Sequence, residues 1–232
     1  MLLALHPDLR IEESTFGAER APLLVIDNFI AEPQRLIQKA AARQFRPVGA
    51  NYPGIRSEAP LSYQQLIRDH LQKKLFDFFG LTGTSLSFSM CHYSLVTTPA
   101  AQLGPLQRIP HIDSTDGSGL ATVHYLFRTD LGGTAFYRHR ATGFEVIDPA
   151  RKDTYYGHLE ALLRNPDSLD PMYINGDTAL FERIASVPAV FNRMLIYRRN
   201  SLHSACIDRD FVPDPNPLTG RLSINCFMHP TG

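Results

Sequence analysis

Between Gly119 and Tyr137 the chain reads Gly-Leu-Ala-Thr-Val-His-Tyr-Leu-Phe, then a turn, then Gly-Gly-Thr-Ala-Phe-Tyr. β-Branched and aromatic residues alternate with small ones there, and glycines mark the breaks. Such a stretch is constrained to short strands. Further runs of the same kind are Pro22–Ile30, Thr84–Val96, Ala179–Ile184, Ala189–Tyr197, Leu202–Ile207 and Arg221–Met228. Two helices precede most of them. The first starts at Pro33 and runs to about Arg43, with Leu36, Ile37 and Ala40 on one face. The second spans Ser62–Phe79, with Leu66, Ile67, His70, Leu71, Leu75 and Phe78 on one side, and Gly80 ends it. A third helix is expected over Arg151–Arg164, and Pro47–Pro60 reads as an irregular loop exposing Asn51, Tyr52 and Arg56. Short strands at this spacing predict a mainly β protein with flanking helices (α+β). Its core is a closed or sandwiched antiparallel architecture such as a jelly roll, with the N-terminal helices on one sheet.

Length and composition narrow the partners. A chain of 232 residues fits one large domain. We expect that domain over residues 21–232, after a tail or edge extension at 1–20. Lys plus Arg and Asp plus Glu are 23 each, so no global field points to nucleic acid or an anionic membrane. No apolar run approaches spanning length, and the N-terminal residues lack a basic leader. Cys91, Cys206 and Cys226 show no CxxC spacing and sit in apolar runs, which predicts inert buried thiols and a cytoplasmic protein. A monomer or homodimer is expected.

Candidate chemistry starts at His111-Ile112-Asp113. In extended chain, residues two apart point to one face, so an imidazole and a carboxylate converge there. With nine histidines in the chain such a triplet also arises by chance, and His6-Pro7-Asp8 is read as a tail pair without function. His203 opens a later strand and supplies a third candidate ligand. Two histidines and one carboxylate on one side of a metal leave positions open for substrate and oxygen. Arg221 and Ser223 share a face of the last strand, where a guanidinium among apolar neighbours calls for an anion. Each of these residues alone has a structural explanation: a hydrogen-bonded strand-end histidine, or an arginine paired to a protein carboxylate. His70 on the second helix is read as structural.

The ordered set resembles the iron(II)- and 2-oxoglutarate-dependent oxygenases, in particular the prolyl-hydroxylase-like branch and a group of short uncharacterised bacterial proteins sharing its pattern. Val25–Phe29, Met90–Tyr93, His111 with Asp113, Tyr125-Leu126 with Gly132-Gly133, Met194–Tyr197 before His203, and Arg221–Phe227 stand in that order, covering about residues 22–230. The resemblance implies a double-stranded β-helix (jelly-roll or cupin-like) core. It implies Fe(II) held by His111, Asp113 and His203, with 2-oxoglutarate held by Arg221, helped by Ser223 and by Tyr125 or Tyr93. The implied reaction is hydroxylation of a small molecule or a peptide or protein side chain, with formation of succinate and carbon dioxide. The chain departs from the family in three places: a long segment between His203 and Arg221, Phe127 where an asparagine is common, and an extended 138–180 segment expected to serve as a lid.

Other classes remain open at this level. A non-catalytic β-helix binding a metal or ligand would keep the same residues without turnover. A zinc hydrolase would need a base, for which Asp116 is the nearby candidate, and would leave Arg221 unexplained. A cupin would carry a His-x-His pair, which this chain lacks. The clusters Tyr137–Arg140 and Tyr197–Asn200 would favour an acidic substrate if they rim the pocket.

Overall fold

The computed structural model describes residues 2–49, 51–166 and 169–232. Ala50 in the 47–60 segment, and Asp167 and Ser168 in the 138–180 segment, lie outside the described residues. In chain order the elements are β1 (Arg10–Phe16), β2 (Ala21–Asp27), α1 (Pro33–Ala41), β3 (Arg46–Pro47), β4 (Gly54–Glu58), α2 (Leu61–Phe79) and β5 (Ser85–Val96). After two short 3-10 turns at Ala100–Gln102 and Pro105–Gln107 come β6 (Leu120–Tyr125), β7 (Gly133–His139), α3 (Lys152–Leu163), β8 (Phe181–Val187), β9 (Met194–Arg198), β10 (His203–Cys206) and β11 (Leu222–Thr231).

The strands form two antiparallel sheets, a large one ordered β1-β2-β9-β6-β11-β5-β4-β3 and a small one ordered β10-β7-β8. Together they make the jelly-roll core. The large sheet is apolar on both faces, because each face is covered. Leu24, Ile26, Met194, Ile196, Leu222, Ile224, Cys226 and Met228 pack against Leu36 and Ala40 of α1 and Tyr63, Leu66, Ile67, Leu71, Leu75 and Phe79 of α2. On the opposite face Leu23, Val25, Ala121, Val123, Tyr125, Leu195 and Tyr197 meet Phe136 of the small sheet. The helices begin and end where the sequence predicts: Pro33 sits in the first turn of α1, and Gly80 closes α2 in the left-handed conformation.

Four local expectations are corrected. The 47–60 segment is not wholly irregular, because β3 and β4 form a hairpin whose second strand pairs with β5. This outer hairpin has no apolar alternation to announce it. His70 is exposed; the buried stripe of α2 passes through Tyr63, Ile67, Leu71 and Leu75 instead. Tyr52 and Arg56, expected to be exposed, are half-buried. The strand expected over Ala189–Tyr197 starts only at Met194, since Asn192 has φ of 66° and turns the chain first. All three cysteines are buried and free. Among the described residues no helix is long and apolar enough to cross a membrane.

One polar network lies inside the helix-facing core. His124 of β6 is fully buried, with Nδ1 3.1 Å from the Tyr63 hydroxyl and Nε2 3.1 Å from Asn192 Oδ1. Asn192 in turn accepts from the Ile30 amide and donates to the Ile30 carbonyl, tying the loop after β2 to the turn before β9. Burial pushes the His124 pKa down to about 4, partly opposed by the Asn192 contact. The native state therefore holds a neutral ring, while the unfolded chain takes up a proton below about pH 6.5. Stability from this site is complete above that pH and declines as the pH falls toward 4. In urea unfolding at about pH 5–5.5, midway between the folded and unfolded values, we expect His124→Gln to reduce the pH slope by nearly one proton, up to about 1.4 kcal/mol per pH unit, and to leave it almost unchanged at about pH 7.5. An unchanged slope would show that His124 is protonated in the folded protein.

Candidate metal and anion site

The space between the sheets opens at one end into a cavity of about 560 Å³. Its floor is the inner face of the large sheet, including Val123, Ser223, Asn225 and Phe227. Its walls include Thr134, Tyr155, Tyr173 and the 109–113 segment.

His203 begins β10 and pairs with Phe136 of β7 on one side. On the other side it exchanges both backbone hydrogen bonds with His111, each 2.9 Å. The Asp113 amide then donates to the Arg199 carbonyl at 2.8 Å. The extended His111–Asp113 segment is thus sewn to the chain around His203, and the three side chains converge. Their ligand atoms lie within 4.8 Å of one another, with His111 Nε2 3.8 Å from Asp113 Oδ1 and His203 Nε2 3.6 Å from Asp113 Oδ2.

The protonation pattern suits a cation at this point. His203 Nδ1 donates to the Ser201 carbonyl at 2.9 Å, which leaves the Nε2 lone pair facing Asp113. Burial pushes the His203 pKa down to about 4, so the ring is neutral at pH 7. His111 is also pushed down to about 4, by desolvation and by the adjacent His203. Its side chain is nevertheless 53% exposed, since it opens onto the cavity. Asp113 is shifted upward by burial, against the pull of His111, Arg199 and Arg56. Its Oδ2 is buried without a hydrogen-bond partner. A buried carboxylate with Oδ2 unpaired toward the His203 Nε2 lone pair and Oδ1 toward the His111 ring is a donor set suited to a divalent transition metal.

Arg221 immediately precedes β11 and lines the same cavity, with 4% of its surface exposed. Nε donates to the Leu131 carbonyl at 2.8 Å and Nη2 to the Gly133 carbonyl at 2.9 Å, so the backbone at the start of β7 aims the guanidinium. Among the described residues no carboxylate pairs with it. The long segment between His203 and Arg221 does not disturb this placement, because it folds on itself. Asp214 caps it by accepting from the Asn216 amide at 2.8 Å and the Thr219 hydroxyl at 2.5 Å. Ser223 also lines the cavity, and its hydroxyl donates to Asn225 Oδ1 at 2.8 Å.

The two tyrosines differ. Tyr125 is directly opposite Ser223 and shares its face, but its hydroxyl is taken by Thr134 at 2.7 Å, so Thr134 is the wall residue. Tyr93 is opposite Ile224 and therefore points the other way, into the core under α2. Its expected role toward a cavity ligand is withdrawn: one step of register separates Tyr93 from Ser94, and Ser94 is the residue on the cavity side. The strand sequence shows that the two residues face opposite ways, not which one faces the cavity. Asp116 is occupied by Ser118, whose amide and hydroxyl both donate to it. Two cavity residues escaped prediction as site residues, Thr134 and Arg56. The first is one small hydroxyl in an apolar strand, and the second belongs to the hairpin noted above.

A model of a family of unknown function (DUF6445) matches residues 7–228. No curated protein sequence matches. Among solved structures, HygX from Streptomyces hygroscopicus with nickel and 2-oxoglutarate bound aligns at a TM-score of 0.53 and 14% identity, covering 92% of this chain and 84% of that one. SnoK, a non-heme alpha-ketoglutarate-dependent carbocyclase from nogalamycin biosynthesis, aligns at 0.52 and 11%, covering 91% and 81%. At such identities the likeness is one of fold.

The Tyr93 hydroxyl is buried with no partner. Tyr93→Phe should therefore be neutral or stabilising, by up to roughly 1–3 kcal/mol, in urea or thermal unfolding. A clear loss of stability would mean that the hydroxyl has an unseen partner.

Proposed function

The chain belongs to DUF6445, a family of unknown function, and we propose that it is an iron(II)- and 2-oxoglutarate-dependent dioxygenase of the prolyl-hydroxylase-like kind that hydroxylates a small molecule or a peptide or protein side chain. One observation carries the reading. The Asp113 carboxylate, with its unpaired Oδ2 toward His203 and its Oδ1 toward His111, lines the same cavity as the Arg221 guanidinium, which among the described residues has no protein carboxylate. A metal-binding fold needs only the first half of that arrangement, and an anion pocket only the second. An enzyme coupling a metal to a dicarboxylate needs both. The solved structure of HygX, which shares the fold, holds nickel and 2-oxoglutarate.

In this reading His111, Asp113 and His203 hold Fe(II). Arg221 takes the far carboxylate of 2-oxoglutarate, with Ser223 beside it and Thr134, steadied by Tyr125, closing the wall. When bound, the iron would supply the oxidising chemistry with dioxygen as oxidant: one oxygen atom would enter succinate as 2-oxoglutarate loses carbon dioxide, and the other would convert a substrate C–H bond to C–OH. The chain's own residues orient and shield. The Ser201 carbonyl fixes the His203 tautomer before any ligand arrives. The Leu131 and Gly133 carbonyls hold Arg221 in one plane, leaving its remaining donors for an anion. Tyr155 and Tyr173 exclude water from the side nearest α3.

Anaerobic protein with Fe(II) and 2-oxoglutarate should develop a visible charge-transfer band. Arg221→Gln should weaken 2-oxoglutarate at least roughly tenfold, the worth of a charged hydrogen bond, while iron affinity holds. Asp113→Ala should still bind iron, more weakly. It should lose succinate formation by at least the roughly 10–100-fold that removal of a mere supporting partner costs. Equal succinate from the variant and the wild type would sink the assignment. No succinate above background from either would favour a non-catalytic binding protein.

A further inference from the structure

The cavity contains a second guanidinium that the proposed reaction does not use. Arg56 lies on β4 directly opposite Ser94, Ser94 is opposite Ser223, and Ser223 is opposite Tyr125. Directly opposed residues share a face, so Arg56 is on the cavity side of the large sheet, two strands from Ser223. Its Nε donates to Ser94 Oγ at 3.2 Å, and Nη1 makes only a 3.5 Å contact with Met90 Sδ. The guanidinium carbon sits 3.9 Å from the centre of the Tyr52 ring, which fixes its plane. No carboxylate pairs with Arg56 among the described residues, and no hydrogen bond engages Nη2.

The cavity's described lining holds two arginines, Arg56 and Arg221, and one acid, Asp113, which the metal claims. The dicarboxylate co-substrate spends one carboxylate near the metal and one on Arg221. Arg56 is then left as a cation without a counter-charge. The two arginines also differ in depth. Arg221 is almost wholly buried, whereas Arg56 is half-buried on the outer hairpin, next to Tyr52 and Asn51 of the cavity rim.

We propose that Arg56, held flat by Tyr52, is the substrate-recognition residue of this site, and that the substrate is a small carboxylate-bearing molecule paired to its Nη donors. The inference rests on the proposed function and adds the substrate class to it. A guanidinium edge presents two parallel N–H groups that pair bidentately with a carboxylate or a phosphate, and the single uncompensated charge of Arg56 matches a singly charged carboxylate rather than a phosphate monoester of about −1.5 to −2. The cavity volume, shared with the co-substrate, limits the substrate to small-molecule size.

The test uses the Fe(II)–2-oxoglutarate complex under anaerobic conditions, probed by ligand-observed NMR with N-acetylglycine, its neutral amide N-acetylglycinamide, and methyl phosphate. Wild type should bind the acid at least roughly tenfold more tightly than the amide. Arg56→Gln should abolish that preference while holding 2-oxoglutarate within about twofold of wild type, which also reports that the variant is folded. Arg56→Lys, which keeps the charge but not the fork, should retain part of it. Equal binding of acid and amide by wild type overturns the proposal, as does a preference that survives Arg56→Gln. A preference shown by methyl phosphate instead overturns the carboxylate class. Loss of 2-oxoglutarate binding in Arg56→Gln to the extent seen in Arg221→Gln gives Arg56 to the co-substrate and overturns it too. Should wild type bind no 2-oxoglutarate, the preceding reading fails by itself. The acid–amide comparison on the iron-loaded protein then decides Arg56 separately.

Discussion

The arrangement depends on burial of one face of the large sheet under two helices. Leu222, Ile224, Cys226 and Met228 of β11 must meet α2, and a strand's two-residue period then sends Arg221, Ser223, Asn225 and Phe227 to the other side. The polar face of the cavity is thus specified by apolar residues that never touch it. A register slip of one residue would expose the leucines and bury the arginine against helix, so the hydrophobic contacts guard the polar placement. The same rule carries sideways from strand to strand, through Ser94 to Arg56 and from Ser223 to Tyr125, whose hydroxyl then meets Thr134 of the small sheet.

A second constraint acts where regular structure ends. His111 and Asp113 lie outside the named strands, in a segment that would otherwise be loop. The paired hydrogen bonds to His203 and the single one to Arg199 give it strand-like rigidity over three residues. Two candidate ligands are therefore fixed by backbone pairing to the strand that bears the third.

Much of this was legible in the chain, for identifiable reasons. The strands of the core announce themselves through alternation, and α2 through its apolar stripe and terminal glycine. The His111, Asp113 and His203 set was legible because two residues share a strand face by spacing and the third opens an apolar strand. Arg221 with Ser223 was legible on the same spacing. Tyr93 was misplaced because the facing of a strand depends on its partners, and Tyr93 and Ser94 offer equally plausible faces until β11 is laid beside them. His70 was misplaced because a helix stripe one residue wider than the real one includes it. The β3–β4 hairpin was illegible as strand. Its pairing partner lies about forty residues away in sequence, and its cavity face is a cation rather than an apolar residue.

The cavity's floor and its rim come from different parts of the chain. The floor is sheet, held by two cores. The rim is assembled from the β3–β4 hairpin, the segment after the second 3-10 turn, and α3 with the residues beyond it. None of these three segments contributes to the layer between the large sheet and α2 beyond Ile55 and Ala59 at its margin. Substitutions in the rim therefore spare the layer under α2, whereas Ile109, Tyr155, Leu169 and Ile174 pack against Ala135, Tyr137 and Phe181 of the small sheet and tie that part of the rim to it. Lineages descended from one ancestral scaffold can diverge in what they admit while keeping the floor and the His111–Asp113 segment, and kinship would be written there and preference in the hairpin and around α3.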